Sequence, residues 1–265
     1  MMPKNIKTPS PLRSVEREFS SEMVKMVDQI SKRFKNQVFD EMNKGTIEKF
    51  ADAQIGNFAV IFLKLVKNVK NKLFRQYSDD RIQNLVDQTT GKINRRNQKL
   101  LYEAVEKEIG IDTRVLIKEE GISSTINAFR IETEVWVQRL RNKTLEDFTA
   151  NSLRVMSEGG SLSDVLIEFN DNVDKSKKNA RMMARTQTST FNSLLTKVRA
   201  QKLGITKAVW ETSLDERTRK CHAARQGKEF DLSEGLYSSC DGKILLPGTD
   251  WNCRCTCTLI ISDDE

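Results

Sequence analysis

Between Pro11 and Pro247 the chain has no proline, before Cys221 it has no cysteine, and its one histidine is His222. Proline inside a helix removes a hydrogen bond and clashes with the preceding turn, so its absence leaves room for long uninterrupted helices. Long apolar runs are also missing. The longest apolar patch, FAVIFLKLV at 58–66, is broken by Lys64 and falls far short of the roughly 20 residues a membrane span needs. The opening MMPKNIKTPSPLRSVERE lacks the continuous apolar stretch of a secretory signal. Five cysteines, an odd number gathered after residue 220, do not resemble the spread pairs of a secreted disulfide framework, and a reduced, intracellular origin is expected. With 38% hydrophobic and 31% charged residues, the composition suits a soluble protein of solvated helices.

What is present is mostly helical. Pro3, Pro9 and Pro11 lie in a short basic and polar stretch, residues 1–13, which reads as a flexible or extended arm. Met23, Met26, Val27, Ile30 and Phe34 then repeat at i, i+3, i+4, i+7, and Val60, Leu63, Val66 and Val69 sit three apart, both helical spacings. Clusters of turn-forming residues at 43–46, 77–80, 89–92, 108–113, 157–164 and 169–176 are expected to separate six to eight helices. A long helix is expected over 176–203, closed by Gly204, with Ala180, Ala184 and Thr188 as a narrow stripe for close packing.

Beyond Gly204 the pattern changes. KAVWETS at 207–213 reads as a strand, Ser213-x-x-Glu216 as the capping box of a helix ending near Gly227, ILLPG at 244–248 as a strand and turn, and CRCTCTLII at 253–261 as a strand. The expected fold is therefore mainly α: an elongated multi-helix body over 14–150, then a C-terminal region over 151–262 that ends in a small α+β module at 205–262. Charge follows the same division. Residues 208–265 hold 7 Lys and Arg against 11 Asp and Glu, a net −4, which leaves +11 on the remainder of a chain whose total is +7. A basic body of this kind attracts nucleic-acid phosphate without reading sequence, although charged helix faces are more often simply solvated.

The chemistry-bearing residues admit three readings. In a strand, Cys253, Cys255 and Cys257 share one face, and His222, Cys240, Cys253 and Cys255 supply enough soft ligands for zinc, although C-x-C is not the usual knuckle spacing. A Cys–His nucleophile would need His222 to meet Cys253 or Cys255, because neighbouring helical residues such as Cys221 and His222 point about 100° apart. The third reading is a polar clasp. Asp215 would complement a helix start, Arg217, Arg219 and Arg254 would fork onto carboxylates or carbonyls, and Trp210 and Trp251 would roof the contact. The clasp is the reading preferred from the residues.

The order of these pieces, ARMMARTQTST, then KAVWETSLDERTRKCHAARQGKEF, then ILLPGTDWNCRCTCTLI, resembles the phage Mu F-like minor head proteins. The resemblance covers about residues 150–262. Its motif residues here are Arg185, Thr186, Trp210, Asp215, Arg217, His222, Gly227, Cys253, Arg254 and Cys255. Gln187 stands where the family has Glu, and Asp250-Trp251 stands where it has His-Pro before the CRC triplet. The resemblance implies a virion component inside the capsid, present in the host cytoplasm during assembly. It would be associated with the portal protein, and with capsid or scaffold protein, and would act in head assembly and in genome packaging, retention or delivery. It implies no enzyme, no required cofactor and no membrane partner, with double-stranded DNA a further partner. The alternative is a small metal- or Cys-dependent phage enzyme using His222 and the CRC cysteines.

Overall fold

A computed structural model of the chain describes residues 4–10, 12–44, 52–110 and 121–261. The protein is mainly α. In chain order the elements are β1 (Lys4–Lys7), α1 (Arg13–Phe34), a π-helical turn (Lys35–Phe39), α2 (Asp40–Lys44), α3 (Asp52–Gln76), α4 (Asp79–Ile109), α5 (Ser123–Ser157), α6 (Leu162–Lys202), β2 (Lys207–Glu211), α7 (Lys220–Ala223), β3 (Glu229–Asp231), β4 (Leu236–Ser238), β5 (Lys243–Leu245) and β6 (Thr256–Ile261). Parts of the expected turns at 43–46 and 108–113 lie outside the described residues, as do Pro3 and Pro11 of the expected arm.

Two of the expected breaks are not breaks. Helix α4 runs through Thr89, Thr90 and Gly91, and α6 begins at Leu162 and runs through 169–176. In both places polar residues occupy the buried face. Thr89 and Thr90 are 7% and 3% exposed, and Asn172 and Ser176 continue the stripe of Val165, Phe169 and Ala180. Asn172 satisfies its amide by donating to the Glu168 carbonyl one turn back. A reading based on apolar periodicity takes such residues for a turn. The break at 157–164 is real: the Ser161 N–H donates to Asp164 Oδ2 at 2.8 Å and the Asp164 N–H returns to Ser161 Oγ at 3.2 Å, a reciprocal cap at the start of α6.

The chain forms two compact units, each discontinuous in sequence: one gathers residues 1–18, 87–131 and 182–265, the other 19–86 and 132–181. Compactness therefore divides the chain within its long helices rather than at residue 150. The all-helical unit is centred on Phe34, which stacks on Phe169 at 5.6 Å and meets Phe39, Phe62 and Phe148 edge-on. The expected α1 series Met23, Met26, Val27, Ile30 and Phe34 is buried throughout. On α3, however, Val60 and Leu63 are exposed while Phe62, Val66, Val69 and Leu73 are buried. Steps of three rotate about 60° backwards per step, so four residues spaced by three cannot keep to one face.

The other unit carries the antiparallel sheet, in the order β1-β6-β2-β3, with β4 and β5 as a separate hairpin. Its core includes Ala200, Ile205, Ala208, Trp210, Phe230, Leu259 and the three C-terminal cysteines. Residues 4–7, expected within a flexible arm, pair with β6 from Lys4 against Ile261 to Lys7 against Thr258, and Ile6 is 1% exposed. Alternation around one buried isoleucine suffices to seat this strand, a signal too short to outweigh three nearby prolines. The end of α6 is built as expected. Gly204 adopts φ +75°, its N–H donates to the Gln201 carbonyl, and Ile205 N–H donates to the Ala200 carbonyl, a Schellman closure that aims the chain into β2.

Candidate functional site

Helix α6 holds the site from one side through its A-R-T residues. Thr186 Oγ1 donates to the Met182 carbonyl and accepts the Asn252 N–H at 3.0 Å. Arg185 donates through Nε to Glu16 at 2.9 Å and through Nη1 to Asn252 Oδ1 at 2.8 Å. Together they hold Asn252 at φ +56°, a left-handed conformation that Asn tolerates better than most residues. Just before it, Gly248 has φ +85°, and a side chain there would meet Ser189 Oγ at 2.8 Å and the Cys255 carbonyl at 3.2 Å. The loop from Pro247 to Cys255 thus lies close against α6 because Gly, Asn and Thr occupy the contact.

Opposite this loop, α7 is short. The Ser213–Glu216 box does not cap it. The helix starts at Lys220, and Arg219 at the cap position makes no side-chain cap. Ser213 Oγ instead lies 3.3 Å from Thr218 Oγ1, and Asp215 closes a turn by accepting from Thr218 Oγ1 at 3.1 Å. Asp215 also receives both terminal nitrogens of Arg254, one at 2.7 Å. That fork holds the Asp215 carboxyl well below the ordinary carboxylate range. Arg217, expected to fork likewise, is 73% exposed and only 3.9 Å from Asp215; the preceding turn directs it outward. Arg219 does fork, onto Asp250 Oδ2 at 2.6 Å and onto the Trp251 carbonyl.

His222 is central and buried. Its Nδ1 lies 3.3 Å from Cys255 Sγ and 3.5 Å from Cys253 Sγ, and its Nε2 lies 3.3 Å from Asp250 Oδ2. Cys253 and Cys255 precede β6 rather than belonging to it, and both face His222. Cys257 lies within β6, opposite Trp210 of β2, and its N–H donates to Thr8 Oγ1 at 3.3 Å. Burial pushes the Cys257 thiol up to about 12. The other two divide their proton: the Cys255 thiol, donating to Cys253, holds Cys253 below the usual thiol range, and that same contact together with burial holds Cys255 above it.

Cys240 does not join this group. Its sulfur is bonded to Cys221, linking α7 to the β4–β5 turn with a Cα–Cα distance of 6.0 Å, so Cys240 is removed from the expected ligand set. An odd cysteine count concealed a pair. Trp210 packs edge-on to His222 at 6.4 Å and is 1% exposed, whereas Trp251 is 42% exposed; only the first roofs the site. Gly227, at φ +75°, donates its N–H to the Trp210 carbonyl and ties α7 back to β2.

Two residues escaped the sequence reading. Arg225 is 3% exposed, with Cζ 4.4 Å from the Trp210 ring centre, Nε donating to the Cys221 carbonyl and Nη2 to Ser238 Oγ. Its spacing of four from Cys221 was the available signal. Asp250, 3% exposed, was visible only as a departure from His-Pro. The site as a whole is a polar clasp joining α7, the loop 247–255 and the second half of α6, buried at His222, Asp250, Cys253 and Cys255 and half-exposed at its arginines.

Comparison with known proteins gives a partial match. Residues 146–258 match the family model described as "Phage Mu protein F like protein". An uncharacterized protein of Haemophilus influenzae is 25% identical over 209 residues, covering 78% of this chain and 46% of that protein. The NAD(+)–arginine ADP-ribosyltransferase EFV of Enterococcus faecalis is 28% identical over 154 residues, covering 53% of this chain and 31% of that protein. The chain thus spans less than half the length of either relative. No solved structure matches.

Proposed function

We propose that the chain is a minor head protein of a tailed bacteriophage, on the strength of the match of residues 146–258 to the model described as "Phage Mu protein F like protein". It acts without catalysis, sits inside the capsid against the portal protein, and serves head assembly and the packaging, retention or delivery of DNA. The observation that carries this reading is the family match over 146–258, which takes in the motif residues Arg185, Thr186, Asp215, His222 and Arg254. Those residues are engaged by neighbouring protein groups: Asp215 with Arg254, Arg185 with Glu16 and Asn252, Thr186 with the Met182 carbonyl and the Asn252 N–H, and His222 with Asp250 and Cys255, which supports a structural role. Support for DNA contact comes from a cleft of about 510 Å³ whose lining includes Lys7, Arg13, Arg17, Arg185, Arg217 and Arg254.

Cross-linking mass spectrometry on intact particles of the source phage tests the proposal. Links from this chain to the portal protein are the expected result. Absence of the chain from purified particles would overturn it. Alanine at His222 separates a clasp from an enzyme: a clasp residue loses stability or assembly, while a catalytic one leaves a folded, inactive protein.

A further inference from the structure

We propose that His222, Cys253 and Cys255 form a zinc site, bound through Nδ1 and two thiolates, with Asp250 as the group that orients the histidine. This site stands whether or not the protein works in a phage head. The first support is spacing. A tetrahedral zinc with bonds of about 2.3 Å to sulfur and about 2.05 Å to nitrogen places sulfur and nitrogen roughly 3.5 Å apart. Here the histidine nitrogen lies 3.3 and 3.5 Å from the two sulfurs, and the three ligand atoms all fall within 4.8 Å of one another. The ligands are therefore gathered at the edge length of the coordination polyhedron.

The second support lies behind the histidine. A metal-bound imidazole commonly gives its other N–H to a carboxylate, which fixes the tautomer and turns the free lone pair towards the metal. Asp250 Oδ2 lies 3.3 Å from Nε2 and is itself held by Arg219 at 2.6 Å. With the proton on Nε2, Nδ1 presents its lone pair to the cysteines. Asp250 is 3% exposed, and its other oxygen accepts the Trp251 N–H at 2.8 Å, so the carboxylate is fixed in place behind the histidine.

The third support is the surrounding charge. Trp210 packs edge-on to His222 at 6.4 Å and Arg225 Cζ lies 4.4 Å from the Trp210 ring centre, and the buried Trp210 Nε1 and Arg225 Nη1 have no hydrogen-bond partner among the described residues. Two thiolates on a divalent cation, with a neutral histidine, make a neutral centre that such donors stabilise through N–H to sulfur contacts. His222, Cys253 and Cys255 are all no more than 4% exposed, which suits a metal that clamps α7 to the loop 247–255. On binding, each cysteine releases its proton to solvent and no redox step occurs.

The test uses the full chain produced with zinc in the medium and purified without chelator. Elemental analysis is expected to find one zinc per chain. His222→Ala, Cys253→Ser and Cys255→Ser should each fall to background, and Cys257→Ser should keep its metal. Asp250→Asn should still saturate, with affinity weakened roughly 10- to 100-fold in chelator competition. Since the ligand variants can misfold, the wild type is also alkylated with and without zinc; zinc should protect Cys253 and Cys255 in the peptide map. Background zinc in wild-type protein supplied with the ion would overturn the proposal. So would zinc retained by both cysteine variants, or a Cys253–Cys255 disulfide in the native peptide map.

Discussion

Asp215 and Arg254 show how single residues set the conditions under which the clasp holds. The Arg254 fork depresses the Asp215 carboxyl, so the pair's contribution is fully present above the ordinary carboxylate pKa of about 3.9 and fades only as pH falls towards the lower folded value. Asp215→Asn is therefore expected to lower the urea midpoint by a constant amount near neutral pH. The gap from wild type should narrow below about pH 4, where the unfolded carboxyl protonates. A gap that is unchanged down to strongly acid pH would remove the pair from the account. Part of this clasp was legible in the sequence: Arg254 stood out as the one charge within the CRC triplet, Asp215 as a turn-region carboxylate and His222 as the one histidine, while Arg185 entered through the family motif. Asp250 was not. Only the fold reveals that an aspartate in place of a histidine receives both Arg219 and His222.

At the scale of elements, two buried arrangements carry different risks. Between α4 and α6, Arg199 is 0% exposed and donates to Asn97 Oδ1 at 2.5 Å and Asn94 Oδ1 at 2.6 Å, while Asn97 Nδ2 donates to Asn192 Oδ1 at 3.0 Å. Asn97→Ala takes an acceptor from a buried cation and a donor from Asn192, for an expected loss of about 1–3 kcal/mol measured by urea unfolding. Phe34→Ala instead opens a cavity among four aromatic rings and should cost about 3–5 kcal/mol, read in the same way. Periodicity identified Phe34 directly. It could not identify Asn97, Asn172 or Arg199, because hydrophobic patterning has no term for a polar group whose partners arrive from another helix. The helices read as broken at 89–92 and 169–176 are the same failure seen along a single element.

For the molecule as a whole, charge distribution is the property that composition predicts and folding refines. The sequence assigns +11 outside residues 208–265, without saying where it gathers. In the fold, Lys7, Arg13, Arg17 and Arg217 are exposed beside one cleft, brought there from β1, from the first turns of α1 and from the turn before α7. Arg185, Arg217 and Arg254 line the same cleft but are paired with Glu16 and Asp215, so the exposed Lys7, Arg13 and Arg17 are the cations proposed to meet phosphate. If they meet duplex DNA, binding should be indifferent to sequence, and the logarithm of affinity should fall linearly with the logarithm of salt concentration, by about 0.9 per phosphate contacted. Replacing Arg13 and Arg17 by Gln should reduce that slope by roughly 1 for each lost contact, with little change in sequence preference. The measurement is retention on duplex DNA across a salt series for wild type and variants. An unchanged slope would exclude this cleft as the contact, and no retention at low ionic strength would remove DNA from the proposal.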